Sequence, residues 1–355
     1  MAKRVRLVDI AERLGLTKVS VSKALRNHPD ISRETRDRVR QAAAEMGYTP
    51  NLLARSLSSQ RSFTLGVVVP KIAHTFFSSV IDAIQEEATN RGYGIVLAVS
   101  NERAALESRH IERLLAMHVD GLLVSVSEEA PNLDIYRRVG ELNVPLVFFD
   151  RGLQGLGFSS VTVDDRAGAR RAIEWMVEQG HHRIAYVGGK TEVAIERERY
   201  AGYEEALRRH GIPVRPAWVV RGGFDERSGY RAFLRLQEAG DVPEVIFAVT
   251  YPVGLGLRAA IRHHAPALLD RVEIVSFGSG LSDFYTYPHL CVSQPTRLLG
   301  RTSLQLLLEE IEADEPPEPR HVVLKTELIT PDDYLHVSLD GEAVDGDVEV
   351  DDHLD

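Results

Sequence analysis

Residues 7–25 carry a pattern that few structures accommodate, two short helices joined by a tight turn. Apolar residues recur at the spacing of one helical face in Leu7, Ile10, Ala11 and Leu14. Gly15 supplies the left-handed conformation that ends a helix without steric cost. Thr17 offers an N-cap to a second helix, whose inward residues are Val21, Ala24 and Leu25. This is the pattern of a helix-turn-helix that reads the DNA major groove, although a generic helical hairpin also shows it.

A third helix and a conditional fourth helix follow this pair. Ser32 is placed to cap a helix over Arg33–Met46. The inner face and the end of that helix are formed by Val39, Ala42, Ala43, Met46 and Gly47. Pro50 discourages helix at the residue before it, and a further short helix, capped by Asn51 and carrying Leu53 and Leu57, is predicted to follow. Because so short a helix is unstable alone, we expect it to form only with a partner.

The charge of the chain is divided unevenly between its beginning and the rest. Residues 1–62 hold 13 of the 42 Lys and Arg but only 6 of the 52 Asp and Glu, a net charge of +7. The remaining residues carry −17, so that the whole chain carries −10. A basic head on an acidic body indicates that the first domain alone meets phosphate. A solvated basic tail would give the same count, but the apolar periodicity favours a folded unit.

Length and composition restrict the other classes of protein to which the chain can belong. A chain of 355 residues is too long for one ordinary core, so two or three domains are expected. No stretch approaches the roughly 18 apolar residues that span a membrane, and the basic N-terminus lacks the apolar run of a signal peptide. The single cysteine, Cys291, excludes an internal disulfide and suits a reducing cytoplasm.

From Phe63 onward, short apolar segments alternate with helical ones. The predicted strands of the first series are Leu65–Val69, Gly94–Val99, Gly121–Val126, Val144–Phe149 and Ser160–Val163, and the helices between them are Ile72–Arg91, Glu102–Met117 and Asp134–Leu142. A second series with the same alternation runs from Ala167 to Ser276. This order indicates parallel sheets covered on both faces. We therefore expect two doubly wound lobes with a ligand in the cleft at the carboxyl ends of the strands.

The motifs of the first sixty residues form a recognisable set. They are Asp9-Ile-Ala11, Gly15, Val21-Ser22, Ser32-Arg-Glu-Thr-Arg36, Gly47-Tyr-Thr-Pro-Asn51 and Ala54-Arg-Ser-Leu57. Together they resemble the lactose-repressor (LacI/GalR) family of bacterial regulators. The resemblance implies an all-α helix-turn-helix headpiece with a hinge helix. It also implies an α/β periplasmic-binding-protein-like core of two doubly wound parallel-sheet lobes.

The resemblance also divides the chain into domains. It implies a helix-turn-helix DNA-binding domain over residues 1–48, a hinge helix and linker over 49–62, and an effector-binding and dimerisation core over 63–337. Within the core, lobe 1 is expected at about 63–162 and 291–322, and lobe 2 at about 163–290 and 323–337. Residues 338–355 hold eight Asp and Glu and no Lys or Arg, which predicts a disordered acidic tail.

By the resemblance, the second helix reads bases with Lys18, Val19 and Lys23. The family frequently has Arg at the third position, and Lys23 lacks its bidentate fork. Phosphate contacts are expected from Thr17, Ser20, Ser22, Asn27, Arg33 and Arg36. The alternatives are a solvated basic face for the lysines and packing for Val19. Arg6 stands where the family often has a capping Thr, and an Arg side chain cannot cap a helix.

The hinge helix is expected to enter the minor groove. In the family, two hinge helices of a dimer lie there together, and a Leu from each wedges into a base step. Leu57 matches by position, with Asn51, Ala54 and Arg55 beside it; the alternative makes Leu57 an ordinary linker residue. An effector in the cleft would change the angle between the lobes and so decide whether the hinge helices fold. Whether the effector releases DNA or promotes binding stays open.

Candidate effector contacts come from position in the cleft and from the resemblance. They are Phe76, Phe77, Asp150, Arg151, Arg199, Phe224, Tyr251 and Ser279. The alternatives are core packing for the Phe residues and a surface ion pair for Arg199. The family usually has Asn-Asp where Thr250-Tyr251 stands, and an acidic residue where Gly278-Ser279 stands. Because both differences remove groups that bind a polyol, the effector is either not an ordinary sugar or is held differently.

An enzyme and a free-standing solute-binding protein are the competing interpretations. Gly188-Gly-Lys-Thr191 is similar to a phosphate-binding loop, but Ile184 stands where that loop needs its first glycine. The histidine pairs 181–182 and 263–264 lack further ligands at metal spacing, so no metal, cofactor or enzymatic role is predicted. A solute-binding protein would need a secretory signal and no basic head.

The prediction is a cytoplasmic, nucleoid-associated homodimeric regulator, most often a repressor in this family. It would bind a palindromic double-stranded DNA operator and a small-molecule effector, a sugar or related metabolite, without contact to a membrane.

Overall fold

The computed structural model describes residues 5–25, 27–48, 61–73, 75–278, 290–330 and Asp333. The chain forms two compact units, residues 1–62 and 63–355. The predicted hinge residues Asn51, Ala54, Arg55 and Leu57, the candidate Ser279 and the acidic tail lie outside the described residues.

The first unit contains three described helices, α1 Leu7–Leu14, α2 Lys18–Leu25 and α3 Arg33–Glu45. Their inner faces meet in a small core in which Ile10, Val21 and Val39 are completely buried. Gly15 and Gly47 both have a φ of 65°, the left-handed conformation that glycine adopts without strain. The first three predicted helices, their inward residues and the glycines that follow α1 and α3 are therefore confirmed.

Short-range polar contacts fix where these helices begin. Thr17 Oγ1 accepts a hydrogen bond from the backbone N–H three residues later at 3.1 Å, and Ser32 Oγ does the same at 3.2 Å. Arg6, which stands at the start of α1, makes no side-chain cap. Instead, Asp9 Oδ2 accepts a hydrogen bond from Arg6 N at 2.7 Å. A carboxylate in the first turn of α1 thus satisfies one of the donors that the missing cap leaves.

The first lobe of the second unit is a six-stranded parallel sheet covered by helices. Its strands, numbered along the whole chain, are β1 Thr64–Val69, β2 Gly94–Val99, β3 Gly121–Val124, β4 Leu146–Phe149, β5 Ser159–Val163 and β11 His321–Leu324. Their spatial order is β11-β5-β4-β3-β1-β2. The helices are α4 Thr75–Asn90, α5 Ala104–Ala116, α6 Leu133–Glu141 and α11 Thr296–Glu312. Val67 and Val68 of β1 enter different apolar clusters, as burial on both faces requires.

The second lobe repeats this plan. Its strands are β6 Ile184–Gly188, β7 Val219–Arg221, β8 Val245–Ala248, β9 Glu273–Phe277, β10 Leu290–Ser293 and β12 Glu327–Ile329, in the spatial order β12-β10-β9-β8-β6-β7. Its helices are α7 Asp165–Glu178, α8 Ala194–Arg209, α9 Glu226–Glu238 and α10 Tyr251–His264. All described pairs in this sheet are parallel except β10 with β12. The doubly wound parallel lobes are confirmed, with one antiparallel strand at an edge.

The chain crosses between the lobes three times, after Val163, Ser293 and Leu324. These points lie one to three residues later than the expected crossings after residues 162, 290 and 322. The expectation that residues 291–322 belong to lobe 1 is wrong at the beginning of that range. Residues 290–292 pair with β9 of lobe 2 and Ser293 pairs with β12 of the same lobe, and only the following helix packs on lobe 1. Strand β11 runs parallel to β5 and therefore ends at the carboxyl edge of the first sheet. Two residues then lead into β12, which enters the second sheet from that sheet's carboxyl edge and so runs antiparallel to β10.

Candidate functional site

The first turn of α2 presents a predicted reading surface. Val19 is 64% exposed, and Lys18 beside it is exposed as well. The alternative in which Val19 packs inside the headpiece is therefore wrong. Thr17 and Ser20 hold their hydroxyl oxygens 2.9 Å apart at the start of the helix, and Ser22 is half-buried one turn on. An apolar side chain held in solvent at this place is available for a thymine methyl group in the major groove.

Several predicted DNA contacts already have partners within the headpiece. Lys23 Nζ lies 2.8 Å from Asp30 Oδ2. Asn27 Oδ1 accepts a hydrogen bond from Arg40, and Asn27 O accepts one from Arg36 Nη1 at 3.4 Å. Surface pairs of this kind contribute about 1 kcal/mol or less, so DNA can replace them at small cost. In the described part of the headpiece, Arg33 is exposed and has no such partner.

A cavity of about 160 Å³ lies between the lobes of the core. Seven of the eight candidate effector residues line it: Phe76, Phe77, Asp150, Arg151, Arg199, Phe224 and Tyr251. The rest of the lining is Ala73, Thr75, Glu102, Ile195, Glu226, Thr250, Pro252, Leu255, Phe277, Gly278 and Gln294. Residues far apart in the sequence thus meet at one place, and their contact with an effector stays a prediction.

The parallel strands explain why these residues meet. Phe76 and Phe77 lie in the first turn of α4 after β1, Asp150 directly follows β4, and Tyr251 begins α10 after β8. Since parallel strands end at the same edge of a sheet, the side chains that follow them share one crevice. The rings of Phe76 and Phe77 pack edge to face with centroids 5.1 Å apart. Phe77 is buried, and Phe76 remains half-exposed to the cavity.

Arg199 of α8 is a buried cation in the cavity wall, with an exposed fraction of only 2%. Its Nε donates to Asp165 Oδ1 at 2.7 Å and its Nη1 to Val249 O at 2.6 Å. The guanidinium carbon also lies 3.8 Å from the centroid of the Phe277 ring. Burial raises the pKa of Asp165 to about 6, although the charge of Arg199 opposes the shift. The alternative of a surface ion pair is therefore wrong for Arg199.

Arg151 is the second buried arginine of the cavity. Its Nη1 donates to both carboxylate oxygens of Glu102, at 3.1 and 3.0 Å. Its guanidinium carbon lies 4.8 Å from the ring centroid of Phe224, which belongs to the other lobe. The neighbouring Asp150 accepts a hydrogen bond from Ser125 Oγ at 3.3 Å. Burial raises the pKa of Asp150 against the opposing effect of the arginines. Both guanidinium groups are thus neutralised by the protein itself.

Sequence reasoning missed five polar lining residues, among them Glu102 and Gln294. Gln294 directly follows β10 and Glu102 follows β2 by three residues, so the rule that found the other candidates could have found both. It also missed a contact across the cleft, where Lys190 Nζ lies 3.3 Å from Glu128 Oε1. Lys190 belongs to the segment that is similar to a phosphate-binding loop, and here it bridges the lobes.

The histidine pairs considered above as metal ligands are the remaining candidates for a chemical role. His264, of one histidine pair, lies 2.7 Å from Tyr230 Oη. Within the described ranges, no group of three or more His, Cys, Asp or Glu is arranged to hold a metal ion. None of the helices in the described part of the chain is long and apolar enough to cross a membrane.

A helix-turn-helix unit followed by a two-lobed cleft defines a class of ligand-responsive DNA-binding proteins. The family model of bacterial regulatory proteins of the lacI family matches residues 6–51. The model of the periplasmic binding proteins and sugar binding domain of the LacI family matches residues 62–330. The chain belongs to the LacI family and is a DNA-binding transcriptional regulator rather than an enzyme. The matching headpiece excludes a solute-binding protein without a DNA-directed function.

Relatives and solved structures cover nearly the whole chain. The HTH-type transcriptional regulator CelR of Thermobifida fusca is 30% identical over 337 residues, covering 92% of this chain and 97% of the relative. The HTH-type transcriptional repressor CytR of Escherichia coli (strain K12) is 29% identical over 313 residues, 86% of this chain and 89% of the relative. The lac repressor dimer bound to operator and the anti-inducer ONPF has a TM-score of 0.80 at 26% identity, covering 92% of this chain and 98% of that one. A CelR–cellobiose complex has a TM-score of 0.68 at 29% identity, covering 92% and 99%.

Proposed function

We propose that this protein is a repressor that binds a palindromic operator as a homodimer and responds to a small molecule held between the core lobes. The observation that carries the proposal is a cavity assembled from seven candidate effector residues in a chain that also has a reading helix. A two-fold dimer would place two headpieces on the half-sites of a palindrome. Because its partner is chromosomal DNA, we place the protein in the cytoplasm with the nucleoid.

For the headpiece, we propose two kinds of contact with DNA. Lys18, Val19 and Lys23 contact base edges, which gives sequence specificity. Phosphates are bound by Thr17, Ser20, Ser22, Asn27, Arg33 and Arg36, which position the helix without reading sequence. The exposure of Val19 and of Arg33 supports this division. The hinge group Asn51, Ala54, Arg55 and Leu57 is proposed for the minor groove on the resemblance alone.

For the cavity, we propose an uncharged, hydroxyl-bearing ring compound such as a sugar. The aromatic rings of Phe76 and Phe224 suit the C–H face of such a ring, and Asp150 and Gln294 can bond its hydroxyl groups. Arg151 and Arg199 each have a carboxylate partner already. A phosphorylated ligand would therefore find no unneutralised cation there. The relative CelR was solved with cellobiose, which agrees with an uncharged sugar.

The DNA proposal is tested by selection of duplexes from a random library with the full chain. We expect enrichment of a sequence with two-fold symmetry. The variant Val19→Ser should fold normally, keep its affinity for random duplex and change the preferred base at one position of each half-site. Arg33→Ala serves as the matched phosphate variant and should weaken operator and random duplex alike. Recovery of only asymmetric sequences would contradict the proposed dimer on a palindrome.

The effector proposal is tested by thermal shift of the full chain with sugars, nucleosides and organic acids. We expect an uncharged sugar or nucleoside to raise the melting temperature, and Phe76→Ala, which removes a half-exposed ring from the cavity wall, to abolish the shift. The same compound should change operator affinity, and the sign of that change distinguishes an inducer from a corepressor. A response confined to acids or phosphate esters would refute the proposed ligand class.

A further inference from the structure

Glu102 has an unusual backbone conformation at the wall of the cavity between the lobes. It follows β2 by three residues, and its side chain is 15% exposed and lines the cavity. Asn101 and Glu102 both have positive φ angles, 51° and 59°. A residue with a side chain enters this left-handed region at an energetic cost, so that it stays there only where other contacts hold it. The carboxylate of Glu102 makes such contacts.

The Glu102 carboxylate joins two other segments of the first lobe. Its two oxygens accept hydrogen bonds from Arg151 Nη1 at 3.1 and 3.0 Å. Its Oε2 also accepts one from the backbone N–H of Glu128 at 2.7 Å. Hydrogen bonds to an ionised group are stronger than those between neutral groups. One side chain therefore fixes both the loop after β3 and the loop after β4.

Each of these two partners reaches across the cleft. The guanidinium carbon of Arg151 lies 4.8 Å from the ring centroid of Phe224. The carboxylate of Glu128 lies with its Oε1 3.3 Å from Lys190 Nζ. Phe224 and Lys190 both belong to the second lobe. These two cross-cleft contacts thus share one support in the first lobe, the side chain of Glu102.

Glycines fix the places of both contacts in the second lobe. A Cβ on Gly223 would stand 3.3 Å from Glu128 Oε1, and a Cβ on Gly189 would stand 2.2 Å from the Phe224 ring. The backbone N–H of Gly189 donates a hydrogen bond to the buried Glu196 Oε2 at 2.7 Å, which holds this segment in place. The second lobe therefore offers closely fitted positions, and the side chains of the first lobe must be held to match them.

We propose that Glu102 is a positioning residue that holds Arg151 and Glu128 for their contacts with the second lobe, and so sets how firmly the two lobes close. A carboxylate has about four lone-pair positions, and the contacts with Arg151 and Glu128 use three of them. The remaining position can accept a hydroxyl group of a compound in the cavity, which would then act on both cross-cleft contacts at once. This last step rests on the proposed function, which takes the cavity as the effector site.

The proposal is tested by Glu102→Gln, which keeps the size of the side chain and removes its charge. Arg151 keeps a counter-charge, since its Nε lies 3.7 Å from Asp150 Oδ2, and we therefore expect the variant to fold. In the full chain without effector, hydrogen exchange of the amides in residues 188–193 and 222–225 should become about three-fold faster or more. Both segments belong to the second lobe, so a role of Glu102 confined to its own loop would leave them unchanged.

Glu129→Gln is the matched control. Glu129 Oε2 accepts a hydrogen bond from Ala104 N at 2.9 Å, so that it joins the same two segments of the first lobe, but its exposed side chain is not part of the cavity wall. This variant should leave exchange in the second lobe at the wild-type rate. Lys190→Met should speed exchange in the wild-type chain and add little in Glu102→Gln, because both changes act on the same contact. The amides of β8 report that the second lobe stays folded.

Several results would overturn the proposal. Faster exchange confined to the first lobe would do so, as would equal changes in Glu102→Gln and Glu129→Gln, or purely additive effects of Glu102→Gln and Lys190→Met. Glu102→Asp is the second variant: it keeps the charge on a shorter side chain and should show the same change to a smaller extent. Because no effector is present, failure of this test leaves the proposed function standing, and that function is refuted separately by the thermal-shift result.

Discussion

Replacing Arg199 by Met should destabilise the second lobe by about 3–5 kcal/mol at pH 8, the usual cost of removing one partner of a buried ion pair. The size follows from the surroundings of the guanidinium. Its Nε donates to Asp165 at 2.7 Å and its Nη1 to Val249 O at 2.6 Å, in a site where both charged side chains are almost completely buried. Methionine fills much of the volume, so the main loss is the counter-charge of Asp165 rather than packing.

The effect should depend on pH, and its sign follows from Asp165. Burial raises the pKa of this carboxyl to about 6, above the value of about 3.9 expected in the unfolded chain. The folded lobe therefore binds the proton more tightly, and its stability falls as pH rises from about 4 to 6. Without Arg199 the pKa of Asp165 must rise further. The destabilisation should thus be largest above pH 7 and smaller at pH 5, where the carboxyl is protonated.

Urea unfolding followed by tryptophan fluorescence measures this change locally, because Trp175 and Trp218 are the only tryptophans and both belong to the second lobe. Arg166→Met is the matched control: Arg166 lies on α7 with 58% of its side chain exposed, so its loss should cost less than about 1 kcal/mol. Adding Asp165→Asn to Arg199→Met should recover much of the stability at pH 8. An equal loss at both pH values, or no recovery in the double variant, would refute the reasoning.

Three further changes test other parts of the molecule. Gly256→Ala should lower the free energy of unfolding by about 1–3 kcal/mol, since its Cβ would meet Glu226 O at 1.9 Å, whereas Gly94→Ala, with nothing nearer than 4.0 Å, should cost less. Leu57→Ala should weaken operator binding by about 1–3 kcal/mol and leave random duplex unaffected; equal losses on both would contradict the wedge role. Operator affinity should fall with salt at a logarithmic slope of about −0.9 per neutralised phosphate, and a flat response would exclude a phosphate-dominated contact.

The headpiece could be predicted closely because its determinants are local in sequence. Gly15 ends α1, and Thr17 and Ser32 cap the next two helices within three residues of their own positions. Local sequence signals do not show that a predicted DNA contact already has a partner within the headpiece. The contact of Lys23 with Asp30 joins residues in different segments, and it depends on how the loop between α2 and α3 turns.

The cleft could be predicted in outline because strand ends collect at one edge of a sheet. That rule, together with the resemblance, placed seven candidates around one cavity. It could not identify their partners. Arg199 pairs with a carboxylate 34 residues away and Arg151 with one 49 residues away, distances in sequence that only the tertiary fold brings together. For the same reason the sequence did not show that residues 290–293 form a strand in the sheet of the second lobe.

The charges of the cavity are arranged so that each lobe neutralises its own arginine. Arg199 pairs with Asp165 inside the second lobe, and Arg151 pairs with Glu102 inside the first. Moving the lobes apart therefore separates neither buried ion pair. A pair shared between the lobes would have fixed them together, because breaking it would leave a buried charge uncompensated. On opening, Arg199 loses only the longer-range attraction of Asp150 in the first lobe and keeps its hydrogen-bonded partner Asp165.

Two contacts of the described residues that cross the cleft are weak by comparison. Lys190 and Glu128 form a bridge of 3.3 Å with 46% of the lysine side chain exposed, which is worth about 1 kcal/mol or less. The stacking of Arg151 on Phe224 adds roughly 1–2 kcal/mol. Together these two contacts contribute only a few kcal/mol, an energy that one ligand touching both lobes can match. Three crossovers keep the lobes connected. The binding energy of such a ligand therefore changes the angle between the lobes and leaves the fold of each lobe intact.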